Sequence, residues 1–298
     1  MTLVSLIVAG CDNPIHEDHN PEDPTQEDPN NGDQGSQEPV DYREVGSFEV
    51  TTSSASINVN DSCTMDVSLY EPVGESNGAR IILAHGFARG KAQMDGWARH
   101  FASWGTQVAT PDLCHASLFD VDHAQNAEDL IALNEQLGGG PVVYAGHSAG
   151  GLAAIIAAIN DDSALAAMGL DTTDADGLGA NAATGSTVPI YGLLAEPNDC
   201  NSNGNGEEVY NAANNAITLR ITEADHCDFE NETDGICTTF CNGTNDFFSD
   251  EEIQDTITGL LTAAAVQATG FGQGLSDWWE EGGGYYEALA TEGAISTP

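Results

Sequence analysis

Two regimes of hydrophobic patterning divide the chain. Over 48–59 and 63–70, apolar residues alternate with polar ones. A period of two sends successive side chains to opposite faces, so these stretches predict an antiparallel hairpin with one face in water. From Arg80 onward, short continuous apolar runs appear at 80–84, 107–110, 142–145, 164–170, 188–194 and 217–221. Between and after them lie stretches with helical spacing, near 92–104, 122–137, 150–159, 207–214 and 250–268. Strands that lose their alternation are buried on both faces, and strands alternating with helices imply a parallel sheet with helices on both sides. The class is therefore α/β, in a domain over 45–270. The remainder, 271–298, carries Trp278, Trp279, Tyr285 and Tyr286 among glycines and is an extension that either packs on the domain or hangs loose, which the sequence leaves open.

Charge narrows the partners. Forty-eight acidic residues face six basic ones, for a formal charge of −42. Such a surface repels nucleic acid and anionic headgroups, so neither is expected as a partner. It also repels itself, which points to adaptation to salt. Residues 12–44 are acidic, proline-rich and poor in apolar side chains, the composition of a disordered tether. Residues 1–11, M-T-L-V-S-L-I-V-A-G-C, resemble a bacterial lipobox segment, though no Lys or Arg precedes the apolar run. The resemblance implies lipidation at Cys11, export to the cell envelope or beyond, and membrane contact through that anchor alone. Six further cysteines in an exported chain suggest up to three disulfides. His226, Cys227 and Cys237-x3-Cys241 lack a CxxC pair, so no metal is expected, and no cofactor.

The chemistry centres on P141-V-V-Y-A-G-H-S-A-G-G-L-A-A-I-I-A-A-I159. A buried strand runs almost directly into a buried helix, with Ser148 at the join. A turn that sharp thrusts its side chain above the sheet edge and needs small neighbours, which Gly146 and Gly150 supply. A serine hydroxyl needs a base. His226, in T222-E-A-D-H226 after the last parallel strand, is the sole histidine beyond Ser148. The orienting carboxylate is expected at a strand end between them. Asp171 follows 164–170 with no slack and is favoured; Asp199, after 188–194, is the alternative. Backbone donors for an oxyanion are expected at Ala149, beside the nucleophile, and at Phe87, in the loop after 80–84.

H85-G-F87, G146-H-S-A-G-G151, G169-L-D-T-T-D-A-D-G177 and D225-H226 together resemble the α/β-hydrolase fold without a lid domain. Within it they are similar to chlorophyllase-like and platelet-activating-factor-acetylhydrolase-like serine esterases and to cutinase-type polyester hydrolases. The G-L-D-x-x-D stretch of the first group supports Asp171, whereas the acid position of the polyester hydrolases supports Asp199. A polyester-hydrolase disulfide beside the active site implies a Cys200–Cys227 bond. The expected function is a secreted, monomeric carboxylic-ester hydrolase with an open cleft for bulky or extended esters such as lipid, pigment ester or polyester. An acyltransferase on the same triad, or a non-catalytic surface-binding protein of the same fold, are the alternatives.

Overall fold

Nine strands form the main sheet of the computed structural model, which describes residues 39–298 except 75, 76, 242 and 244. Cys11 and the stretch 12–38 lie outside the described residues. The strands are β1 (Val50–Asn58), β2 (Thr64–Pro72), β3 (Arg80–Ala84), β4 (Gln107–Pro111), β5 (Val142–His147), β6 (Ala164–Leu170), β7 (Ile190–Leu194), β8 (Ala216–Ile221) and β9 (Ile295–Ser296). Their spatial order is β1-β2-β4-β3-β5-β6-β7-β8-β9. The hairpin β1–β2 and the edge pair β8–β9 are antiparallel, β2 meets β4 antiparallel, and β4 to β8 run parallel.

The helices are α1 (Asp95–Ser103), α2 (His123–Gln136), α3 (Ala149–Asn160), α4 (Leu178–Ala183), α5 (Glu207–Ala212), α6 (Gly235–Phe240), α7 (Asp250–Thr269), α8 (Leu275–Trp279) and α9 (Gly284–Glu292). The sheet separates two cores. Ile81 and Leu83 of β3 face Trp97, Phe101, Leu260 and Trp278 on one side. Ile82 and Ala84 face Leu130, Leu152 and Ile155 on the other. This is the strand period at work, with helices α1, α7, α8 and α9 against one face and α2, α3, α4 and α5 against the other. Side-chain caps define the helix starts where polar groups are available. Asp122 accepts from Gln125 N, and Ser249 with Glu252 forms a capping box on α7.

The N-terminal boundary of the expected domain needs correction. The tether was expected to reach residue 44, but Tyr42 is buried and its hydroxyl donates to Gln273 O at 2.9 Å. Trp278 Nε1 donates to Val40 O at 3.1 Å. One aromatic ring with a home in the core outweighs the acidic composition around it. The stretch 271–298 is likewise part of the domain. Trp278 and Trp279 are buried, and β9 adds to the sheet edge beside β8. Its composition hid this because the burial partners, α7 and the 39–44 segment, lie elsewhere in the chain. Helices α4, α6, α8 and α9 had not been anticipated; the first three are shorter than two turns and carry little periodic signal.

Among the described residues three disulfides are present: Cys63–Cys114, Cys200–Cys241 and Cys227–Cys237. They suit an oxidising compartment and hence an exported protein. The expected Cys200–Cys227 bond is not formed. The segment carrying α6 folds between the two loops, so each cysteine meets a cysteine of that segment first. The loops are still joined, through α6 rather than directly. Among the described residues, no helix is long and apolar enough to cross a membrane.

Candidate active site

Ser148 sits where β5 turns into α3, with φ 55° and ψ −122°, a conformation costly for any residue with a Cβ. What holds it there is close packing of the turn. Ser148 N donates to Leu170 O at 2.9 Å. A Cβ on Gly146 would lie 2.4 Å from Gly150 O, and one on Gly150 would lie 2.3 Å from His85 O and 2.6 Å from Ala84 O. All these obstacles are backbone, which cannot swing aside. Gly150→Ala is therefore expected to destabilise the fold by about 3 kcal/mol or more, by analogy with overpacking and backbone strain. Urea unfolding measures it; a loss under about 0.5 kcal/mol would show that the turn relaxes freely.

His226 opens a 3₁₀ turn, His226–Phe229, after β8. Asp225 caps that turn by accepting from Cys227 N at 2.7 Å. The loop is held from three sides. Thr222 N donates to Ala294 O at 2.9 Å, Trp97 Nε1 donates to Phe229 O at 3.0 Å, and Cys227 is tied to Cys237. The ring so placed has Nε2 3.0 Å from Ser148 Oγ and Nδ1 2.5 Å from Asp171 Oδ2. Asp171 is buried and follows β6 at a positive φ of 42°. Its Oδ1 accepts from Ala195 N at 3.0 Å, and its Oδ2 accepts from Asn201 Nδ2 at 3.2 Å. Asn201 is fully buried and had no signal in the sequence; its other bonds, to Glu196 O, Asn198 N and Gly204 N, fold the loop back over the carboxylate. Asp199 is exposed, and the side-chain hydrogen bonds of His226 go to Asp171 and Ser148 instead.

The loop after β3 approaches from the other side. His85 is buried, which pushes its imidazole below the usual histidine range and keeps it neutral. Leu113 N donates to His85 Nε2 at 3.0 Å, so the proton resides on Nδ1, which donates to Gly86 O at 2.8 Å. A planar trans peptide puts the Gly86 carbonyl and the Phe87 N–H on opposite sides. Fixing the one therefore aims the other. Ala88 N is already taken, donating to Ala116 O at 2.7 Å, whereas Phe87 N has no acceptor among the described residues. Ala149 is the first residue of α3, where an N–H has no partner within the helix. The positive end of α3 adds to the local potential at Ser148.

Two clefts meet at Ser148, both also touching Phe87 and Cys200. One, of about 250 Å³, is walled by Arg89, His147, His226, Cys237, Phe240 and Cys241. The other, of about 320 Å³, is lined by Val121, His123, Thr173, Asp174 and Ser202. His147, which precedes the nucleophile in sequence, is buried. Its ring lies 4.4 Å from that of His226 and forms part of the first cleft. Burial holds it neutral, well below its usual range, and the neighbouring His226 ring acts in the same direction. Three basic residues, Arg89, Lys91 and Arg99, follow the β3 loop in sequence, and each is paired. Arg89 makes two 2.6 Å bonds to buried Glu230, Lys91 pairs with Asp112, and Arg99 pairs with Asp95 at 2.6 Å. None of the three is left to attract an anionic substrate group.

A mostly parallel sheet, a serine on a strand–helix elbow, and a histidine and carboxylate brought to it from later strand ends define an α/β hydrolase. The chain belongs to the alpha/beta hydrolase family, whose model matches residues 81–286, well over half its length. The matched region runs from β3 into α9 and contains Phe87, Ser148, Asp171, Asn201 and His226. No curated protein matches the chain. The family is in general one of hydrolytic enzymes.

Proposed function

We infer that the protein is a serine hydrolase of carboxylic esters that works through an acyl-enzyme. The observation that carries this reading is the hydrogen-bonded series Ser148 Oγ, His226 and Asp171, at 3.0 and 2.5 Å. His226 Nε2 takes the hydroxyl proton as Oγ attacks the ester carbonyl, and Asp171 holds the Nδ1–H tautomer and favours the imidazolium. The amides of Phe87 and Ala149 receive the oxyanion. His226 then protonates the departing alcohol, and a water that it activates releases the acid. The second cleft, which His226 does not line, receives the acyl part; the first, which His226 lines, receives the alcohol that must reach its proton. Neither is sealed, which suits bulky or extended esters. A non-catalytic surface protein has no need of a nucleophile and base within hydrogen-bonding reach.

Export as a lipoprotein anchored at Cys11 completes the proposal. The test is labelling by a fluorophosphonate, which phosphonylates a serine activated by its histidine. One equivalent is expected on Ser148, located by peptide mapping, and none on Ser148→Ala. A folded wild-type protein that takes up no label would sink the hydrolase reading.

A further inference from the structure

Among the described residues nine large apolar side chains are exposed, and five of them belong to the active-site surface and one hairpin beside it. Phe87 and Phe240 line the first cleft, and Phe87 and Val121 line the second. Leu118 and Phe119 form the tip of the hairpin that ends in Val121. This hairpin pairs Ala116 with Val121 and Ser117 with Asp120, so Leu118 and Phe119 make up a two-residue connection. Such connections favour Gly, Asn and Asp, whose backbones and side chains suit the turn. Leu118 is 75% exposed and Phe119 is 99% exposed, so neither contributes to the core. Folding does not account for them.

The hairpin is also braced. Cys114 at its base is tied to Cys63. His115 N donates to Asn126 Oδ1 at 3.1 Å, and Asn126 Nδ2 donates back to His115 O at 2.8 Å. Ala116 O receives the Ala88 amide of the loop that lines the first cleft. Two apolar side chains are thus held out in water, on a frame bonded directly to the active-site loop.

We propose that this hairpin docks the molecule onto the uncharged surface of an insoluble aliphatic ester, with Leu118 and Phe119 entering the apolar phase and the clefts at Ser148 opening onto it. The proposal rests on the ester-hydrolase reading and adds the physical state of the substrate. Charge selects the surface. Asp120 and Asp122 follow the tip and are exposed, on a chain of net charge −42, so an anionic membrane is repelled. An uncharged ester phase carries no such penalty. Transfer of a Leu or Phe side chain from water to an apolar phase is worth roughly tenfold or more in affinity.

One ester in two physical states tests this. Tributyrin is offered below its solubility limit and as an emulsion, to wild type and to Leu118→Ser/Phe119→Ser. The dissolved rate should agree within about twofold, which also reports an intact fold. The emulsion rate and co-flotation with the droplets should fall about tenfold or more. Equal emulsion rates and equal co-flotation for the two proteins would overturn the proposal. So would a wild-type dimer that the double substitution turns into a monomer in sedimentation, since the tip would then belong to a second copy. Wild-type binding to anionic phosphatidylglycerol vesicles as strong as to the droplets would overturn it too. Co-flotation needs no turnover, so a protein that docks but hydrolyses neither form would sink the ester reading and leave the hairpin's role standing.

Discussion

Ser148→Ala and His226→Ala are each expected to lower kcat by about 10⁶, and the double variant to lose little more. The two groups act as one unit. With Nε2 3.0 Å from Oγ, the imidazole is the only base among the described residues that bonds to the hydroxyl, and a serine without it is a poor nucleophile at neutral pH. An imidazole without the serine has nothing to activate for acyl transfer. Residual turnover in either variant would come from the amides of Phe87 and Ala149 and from binding. Saturation kinetics on a soluble p-nitrophenyl ester measures the loss, with circular dichroism to verify the fold. His226→Ala retaining more than about a hundredth of wild-type kcat would place the base elsewhere.

Asp171→Asn is expected to lower kcat about 10⁴-fold, against less than about twofold for Asp199→Asn. The carboxylate at 171 accepts from His226 Nδ1 at 2.5 Å while Ala195 N and Asn201 Nδ2 bond to its oxygens. An amide there turns one oxygen into a donor, so the imidazole gives up the tautomer that leaves Nε2 free to accept. Burial makes the error costly, because water cannot enter to repair the bond. Asp199 is in water, and its removal changes little beyond one unit of a large surface charge. The two variants are assayed side by side on the same ester. A large loss in Asp199→Asn with a small one in Asp171→Asn would reverse the assignment.

Much of the frame was legible along the chain, because burial on two faces and burial on one leave different signatures. The continuous runs at 80–84 and 164–170 coincide with β3 and β6, and the alternating stretches with β1 and β2. The turn at Ser148 was legible for a steric reason, since only glycine fits where backbone oxygens lie 2.3–2.4 Å from a would-be Cβ. Short helices such as α4 and α6 were not legible, and neither was the fate of the aromatic C-terminal stretch. Fewer than two turns of helix carry little periodic signal, and an aromatic residue declares its need for burial without naming its partner.

The disulfides show the same division more sharply. An even cysteine count announced bonds, yet pairing depends on where α6 folds, so Cys227 meets Cys237 and Cys200 meets Cys241. Likewise, the chain on its own established an acidic α/β domain with a reactive-looking serine at a strand–helix turn, because period, charge and local sterics are properties of neighbours in sequence. It left two carboxylates competing and was silent about Asn201, about His85 aiming an amide, and about His147 lying against His226. Those are decided by approach distances between residues tens of positions apart, which exist once the sheet has assembled and brought its strand ends to one rim.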